Sequence, residues 1–254
     1  MPYQFATQRQ DFSDFASGRV FHGLPGYPAF PIRLASEIFQ WCIHHRRAVR
    51  LSGRCIVYDP CCGAAYLLST LAHLHREHIA GLIASDIDET ALGLARRNLS
   101  LLTIDGLEAR IREIEAMLKA YGKESHRAAL NSAKALRGKL ANAPGDKSIE
   151  QHLFQADATD PTVLRDALLN WQIDIVITDV PYGAHSVWRT NNRVTQVPLD
   201  HVQNLLESLL TVLRPTSLVA IASDKHQRPN HARYRRLKHY HIGKRQVSIL
   251  QPLF

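Results

Sequence analysis

Cysteine is scarce in this chain and long apolar runs are missing, and each shortage removes a class of protein. The 254 residues include only 4 cysteines, and Asp and Glu number 23 against 31 Lys and Arg. Cys42, Cys55, Cys61 and Cys62 show no C-x-x-C spacing and no histidine at zinc-ligand offsets, so they read as reduced, buried thiols and no metal site is expected. Apolar stretches such as 173–180 and 218–222 fall far short of the roughly 20 residues that a spanning helix needs, so no membrane is expected. Residues 1–10 lack a basic start followed by an apolar core, which sets the expectation of a cytoplasmic chain without a secretory signal. No G-x-G-x-x-G is present, and neither an internal repeat nor a low-complexity tract is found.

What the chain does have is enough apolar residue, 45%, to bury a full core, and a basic excess. The formal charge of +8, with 14 histidines in reserve, creates a field that attracts polyanions; a basic protein of no special affinity is the plainer alternative. Periodicity places a turn-rich segment before a helix at 31–46, then strand, loop and helix at 54–75, a strand at 79–85 and a helix at 90–101. A strand at 173–178, a helix near 199–213 and strands at 218–222 and near 247–250 follow. Such alternation predicts an α/β fold with a parallel sheet covered on both faces. The interruption is 105–150, polar and helix-prone, with Leu107, Ile111, Ile114, Leu118 and Tyr121 on one face and Leu130, Ala133, Leu136 and Leu140 after Gly122, the pattern of a helical hairpin. The organisation expected is a segment at 1–50 packed on a core at 51–254, with the hairpin inserted.

Polar strand exits carry the chemistry. Asp59-Pro60-Cys61-Cys62-Gly63 leaves one strand, Asp86-Ile87-Asp88 the next, and Asp157 follows a third apolar run. Gly63 lets backbone N–H groups approach a ligand, and Asp59 would face a ligand's cationic amino end. Asp86 would accept from ribose hydroxyls, Ile87 would cover an adenine face, and Asp157 would accept from the adenine amino group. A pyrophosphate would be repelled by Asp59, so a nicotinamide dinucleotide fits poorly. S-adenosylmethionine, with ammonium and sulfonium charges and no phosphate, fits better.

These residues resemble class I S-adenosylmethionine-dependent methyltransferases, and within them the avilamycin-resistance ribosomal RNA guanine methyltransferases. The resemblance rests on Pro25-Gly26-Tyr27-Pro28-Ala29-Phe30-Pro31, on the exits at Asp59 and Asp86, on Tyr66-Leu67-Leu68, on Asp179 with Pro181-Tyr182-Gly183 and on Arg236-Leu237-Lys238, over about 15–250. It implies a Rossmann-like, mostly parallel seven-stranded sheet. It also implies that Asp59, Cys62 and Gly63 line the cofactor's methionine end, with Asp86 at the ribose and Asp157 at the adenine. The chain departs from the family at Ala64-Ala65, where a small residue and a second glycine are usual.

Asp179-Val180-Pro181-Tyr182 is similar to the Asn/Asp-Pro-Pro-Tyr/Phe motif of enzymes that methylate nitrogen on planar groups. A carboxylate and a backbone carbonyl accept the nitrogen's protons while an aromatic ring holds the base flat, which assigns Asp179, Pro181 and Tyr182 to the reaction. For guanine N1, Asp179 would take the ring proton as general base. Cations interleaved with aromatics from 226 to 245, among them Arg233, Arg235, Arg236 and Lys238, are the expected contacts to RNA, and Trp188, Arg189 and Arg193 would hold the neighbours of a flipped base. The expectation is a monomer that methylates N1 or N2 of a guanine in 23S ribosomal RNA, with resistance to orthosomycins such as avilamycin implied by the resemblance. The alternatives are a methyltransferase acting on adenine or another base of RNA or DNA, and a noncatalytic RNA-binding protein with a decayed cofactor pocket.

Overall fold

A computed structural model describes residues 3–23, 29–143, 148–180, 198–227 and 229–254. In chain order the elements are α1 (Ile32–Ala48), β1 (Cys55–Asp59), α2 (Tyr66–Leu74), β2 (Ile79–Asp86), α3 (Glu89–Ser100), α4 (Ile104–Tyr121) and α5 (Glu124–Ala141). They continue with β3 (Glu150–Gln155), α6 (Pro161–Leu168), β4 (Ile173–Asp179), α7 (Pro198–Leu210), β5 (Leu213–Asp224), β6 (Tyr234–Ile242) and β7 (Arg245–Pro252). The strands form one sheet of seven in the order β3-β2-β1-β4-β5-β7-β6. The first five in that order run parallel, and β7 returns antiparallel to both β5 and β6. Chain order reverses between β1 and β4, and at such a switch point the connections leave in opposite directions and open a crevice at the strands' carboxyl ends.

The central strands are largely apolar because both faces are covered. On one side α1, α2 and α3 pack Leu34, Ile38, Phe39, Leu68 and Leu71 against Val57, Leu82 and Ile249. On the other, α6 and α7 bring Leu164, Leu205 and Leu209 against Tyr58, Val176 and Ile221. Local chemistry sets the helix starts. Asp88 accepts from the Thr90 N–H at 2.9 Å, Thr103 from the Gly106 N–H at 3.1 Å, and Asp160 caps α6 with Pro161 in its first turn. Gly106 is obligatory, since a Cβ there would lie 1.9 Å from the Ser100 carbonyl oxygen. Among the described residues no helix is long and apolar enough to cross a membrane.

The insertion is a hairpin of α4 and α5, as the periodicity at 105–150 predicts. It does not stand free. Leu107, Ile114, Ala133 and Leu136 close over Phe15, Val20 and Phe21 from the N-terminal segment, and Arg110 donates to the Val20 and Arg19 carbonyls, each at 2.9 Å. Tyr121 departs from the packed face predicted for it and is 68% exposed, because it is the last residue of α4 and meets the facing helix only through an edge contact with His126 at 6.0 Å. Two elements are not anticipated by the periodicity of the sequence. The helix α6 is short, and β6 is so rich in cations that its alternation reads as a binding surface. The strand at 218–222 also proves longer, since β5 starts at Leu213.

Residues 3–7 are tied to α1 by a buried carboxylate. Glu37 is 5% exposed and accepts from the backbone N–H groups of Gln4, Phe5 and Ala6, each at 2.8 Å. Arg33 in turn donates to the Ala6 and Thr7 carbonyls and covers the Tyr3 ring at 4.1 Å. Three charge-assisted bonds to one buried group leave unsatisfied donors when it is removed. Glu37→Ala should therefore cost about 2–4 kcal/mol in chemical denaturation and deprotect the amides of residues 4–6 in hydrogen exchange. Unchanged exchange at those amides would contradict the assignment.

Candidate functional site

The carboxyl ends of β2, β1 and β4 bring Asp86, Asp59 and Asp179 together. The loop after β1 is organised by the two carboxylates nearest to it. Asp59 accepts from the Cys61 N–H at 3.1 Å, Asp86 from the Gly63 N–H at 2.8 Å, and the Cys62 N–H donates to the Ser85 carbonyl at 2.9 Å. The N–H groups expected to point at a ligand are thus turned onto the protein. A backbone donor left unpaired in a buried turn would be costly, and the strand-end acceptors are nearer than any ligand. What remains presented to the crevice is negative. Asp86 also accepts from the Asp88 N–H at 3.0 Å, yet each carboxylate oxygen can accept more than one bond.

Burial makes this arrangement electrostatically tense. Asp59 is 2% exposed, and desolvation raises its pKa to about 7; the Thr178 hydroxyl and the Cys61 N–H pull it back, and the charges of Asp86 and Asp179 push it further. Desolvation likewise raises Asp86, against bonds from Asp88 and Gly63. Among the described residues neither of these two carboxylates forms an ion pair with Lys or Arg. Burial raises the Cys62 thiol well above its usual range, so Cys62 lines the loop as a neutral, compact side chain.

The departure at Ala64-Ala65 falls in a turn with a left-handed backbone. Gly63 has φ 52°, a value at which glycine is unstrained, and no atom lies within 4 Å of where its Cβ would be. Ala65, with φ 53° and no exposure, enters α2 in the same left-handed region, where an L side chain costs about 1–2 kcal/mol. Asn98 of α3 offsets this strain. Fully buried, it donates to the carbonyls of Ala64 and His22 at 2.8 Å and accepts from the His22 N–H at 2.7 Å. It therefore holds the N-terminal segment and the loop in one network. No sequence signal points to it, since Arg97-Asn98-Leu99 reads as ordinary helix.

Ile87 follows Asp86 and its carbonyl accepts from the Gln155 side chain at 2.9 Å, which fixes the β2 exit against β3. Asp157, 7% exposed, turns one oxygen to the Thr159 N–H at 2.9 Å and to its hydroxyl at 2.6 Å. Asp179 stands at the end of β4, where the Val180 N–H donates to the Ala222 carbonyl of β5 at 3.1 Å. The start of β7 comes to the same place, and Arg245 Nη2 lies 3.7 Å from Asp179 Oδ2. Pro181, Tyr182, Trp188, Arg189 and Arg193 lie outside the described residues.

The cations assigned to RNA are divided by β6. Successive side chains of a strand point to opposite faces, and the register sets Arg236, His239 and His241 opposite Leu250, Ser248 and Gln246, while Lys238 and Tyr240 oppose Ile249 and Val247. Lys238 donates to Gln4 at 3.0 Å and lies over the Trp41 ring. Arg235 bonds Gln251 at 2.6 Å, and Arg233 pairs with Glu207 at 3.3 Å. Arg236 is exposed beside His239 and His241, whose rings meet edge to face at 4.9 Å.

The pKa of Asp59 gives a testable sign. Its folded value exceeds the ordinary carboxylate value of 3.8, so the folded state holds this proton more tightly and stability falls as pH rises from about 4 to about 7. Asp59→Asn removes that loss. The variant, without ligand, should match the parent near pH 4 and exceed it by about 1–3 kcal/mol above pH 7, as read by urea unfolding. An equal difference at both pH values would show that the carboxylate is not the source.

Comparison with known proteins returns one consistent answer. A family described as "RRNA methyltransferase AviRa" matches residues 1–245. A protein of Streptomyces viridochromogenes named 23S rRNA (guanine(2535)-N(1))-methyltransferase is 38% identical over 251 residues, which cover 98% of this chain and 95% of that protein. The structure of rRNA methyltransferase aviRa from Streptomyces viridochromogenes superposes with a TM-score of 0.86 at 37% identity, covering 99% of this chain and 96% of the other. TrmN from Thermus thermophilus, 17% identical with a TM-score of 0.50, covers 90% of this chain and 51% of its own and shares the fold alone.

Proposed function

The chain belongs to the AviRa rRNA methyltransferase family, and on that premise we propose that it methylates N1 of a guanine in 23S ribosomal RNA, with S-adenosylmethionine as donor. The fold is the Rossmann-like class I methyltransferase fold, a mostly parallel sheet of seven strands. The observation that carries the proposal is the convergence of Asp59, Asp86 and Asp179 on one crevice, with Asp59 buried and Asp86 partly buried and neither in an ion pair with Lys or Arg among the described residues. A ligand bearing ammonium and sulfonium charge and no phosphate relieves that repulsion, whereas a dinucleotide adds to it. The donor's residues fit accordingly: Asp59, Cys62 and Gly63 around the methionine end, Asp86 and Ile87 at the ribose and adenine face, Asp157 at the adenine amino group. When bound, S-adenosylmethionine supplies an electrophilic methyl group.

The protein's own part is proton and position. Asp179 ends the strand beside β1, near enough for its charge to act on Asp59, so a base held against Asp179 lies next to the donor site. N1 of guanine carries a proton that must leave before its electron pair can form a bond, and Asp179 is the acceptor placed for it. Pro181 and Tyr182 belong to the same proposal as backbone acceptor and stacking platform, and Trp188, Arg189 and Arg193 as contacts to flanking nucleotides. Arg236, with Arg233, Arg235 and Lys238 on the neighbouring surfaces, completes the RNA contact. The proposed organisation is one methyltransferase core at 51–254 with an accessory segment at 1–50, acting as a cytoplasmic monomer. A methyl on N1 replaces a hydrogen-bond donor on the base, which gives a physical basis for the proposed protective role against orthosomycins.

Two variants separate the roles. Asp179→Ala should lower turnover by about 10²–10⁴ and leave the dissociation constant for S-adenosylmethionine within about threefold. Asp86→Ala should weaken donor binding first, by about tenfold or more. The measurement pairs calorimetric titration with digestion of labelled 23S ribosomal RNA to nucleosides. Equal loss of binding and turnover in the Asp179 variant, or a labelled nucleoside other than 1-methylguanosine, would refute the assignment.

A further inference from the structure

Asp179 has a charged neighbour whose chemistry goes beyond acceptance of a proton. Arg245 opens β7, and because β7 runs antiparallel to β5, with Arg245 opposite Asp224, it is delivered to the carboxyl end of the sheet. Its Nη2 is 3.7 Å from Asp179 Oδ2, its guanidinium carbon is 5.6 Å from the centre of the Phe30 ring, and both charged side chains are about a quarter exposed or less, at 21% and 25%. A separation of 3.7 Å is an ion pair but not a hydrogen bond, so the guanidinium and carboxylate stand side by side and are not locked in a two-pronged fork. Among the described residues, Arg245 is the cation that forms an ion pair with one of the three crevice carboxylates. Among the described residues, Asp59 at the end of β1 and Asp224 at the end of β5 are further charged groups at this end of the sheet.

We infer that Arg245 and Asp179 together read the edge of guanine, Arg245 donating to O6 while Asp179 accepts from N1–H. This rests on the guanine reading above and adds a second catalytic residue to it. Adjacent donor and acceptor complement the O6 and N1–H of guanine; adenine presents them in the reverse order, with an amino donor facing the guanidinium and a lone pair facing the carboxylate. A site built for one pattern leaves buried groups unpaired with the other, which is the strongest form of discrimination. The same contact serves the reaction. The N1–H bond breaks and its proton passes to Asp179; the electron pair left on N1 forms the bond to the methyl carbon, and the carbon–sulfur pair departs with the sulfur, leaving 1-methylguanine, a neutral thioether and a protonated Asp179. As N1 loses its proton, negative charge spreads to O6, where a pre-positioned guanidinium stabilises it.

The test compares the full-length parent with Arg245→Met and Arg245→Lys under single-turnover conditions, using unmodified 23S ribosomal RNA, from pH 6 to 9.5. Arg245→Met should lose about 10²–10³ in rate at neutral pH with KM for RNA within about threefold. Its residual rate should keep climbing with pH where the parent has levelled off, because ionisation of N1 is no longer assisted. Arg245→Lys should recover part of the rate. Filter binding of the RNA and calorimetry with S-adenosylhomocysteine provide readouts apart from turnover, and both should be unchanged in Arg245→Lys. A rise in KM alone would make Arg245 a phosphate contact, and an unaltered rate and pH profile in Arg245→Met, or in Arg245→Lys should the Met variant fail to fold, would also overturn the inference. A parent that forms 1-methylguanosine while both variants match it defeats only the role of Arg245; a parent that labels no guanine defeats the underlying reading as well.

Discussion

Two carboxylates taken out of water on neighbouring parallel strands are the constraint around which this molecule is arranged. Asp59 and Asp86 cannot separate, because β1 and β2 pair in register up to their exits, and the loop between β1 and α2 folds over them, burying Asp59 and leaving Asp86 only partly exposed. The loop's N–H groups are occupied in holding them. Those bonds only partly offset the loss of water, and desolvation, with a smaller push from the charges of Asp86 and Asp179, still raises Asp59 to about 7. Stability is thus surrendered in the ligand-free protein at the place proposed for a cationic ligand, a common relation between a site and the fold that carries it.

The same constraint governs which parts are legible in the sequence. Strand exits are legible because carboxylates close successive apolar runs in order along the chain, although one such Asp alone reads as a cap or turn residue, and β1, β2 and β4 are where the sequence places them. Alternation of strands and helices makes the sheet legible, and α4 and α5 follow from leucine spacing. The helix α6 has a signal in Asp160-Pro161, an N-cap followed by a first-turn proline, but its eight residues are too short for periodicity to show. Strand β6 has alternation too, hidden because its solvent-facing positions are cations. Asn98 is illegible for a deeper reason. Its importance arises from three hydrogen bonds to two residues, His22 and Ala64, 76 and 34 positions away, and only tertiary structure brings them together.

The N-terminal segment gains meaning through that asparagine. Glu37 anchors residues 4–6 on α1, Phe15, Val20 and Phe21 close the hairpin, and His22 then meets Asn98, which also holds Ala64 in the donor loop. Ala65 keeps a left-handed backbone only while its surroundings over-determine it. A continuous set of packed and hydrogen-bonded groups therefore runs from the first residues of the chain to the turn beside Asp59. The segment is a brace for the site as much as a lid on the core.

Charge distribution then gives the crevice a direction. On the hairpin, Arg110, Lys134, Arg137 and Lys139 are taken up in ion pairs with Glu113, Glu115, Glu108 and Asp14, so much of its positive charge is already answered. At the opposite edge of the sheet the balance differs: Arg236, His239 and His241 share one exposed face of β6, and burial together with the charges of His241 and Arg236 keeps His239 from protonating readily. The strand runs toward the carboxyl end of the sheet, parallel to β5, and the chain turns there directly into Arg245 at Asp179. A phosphate backbone held along β6 would thus be led from fixed positive charge at Arg236 to the one arginine that faces a crevice carboxylate among the described residues. Attraction along the edge and repulsion within the crevice together favour a polyanion that stops at the rim and sends in only a neutral base.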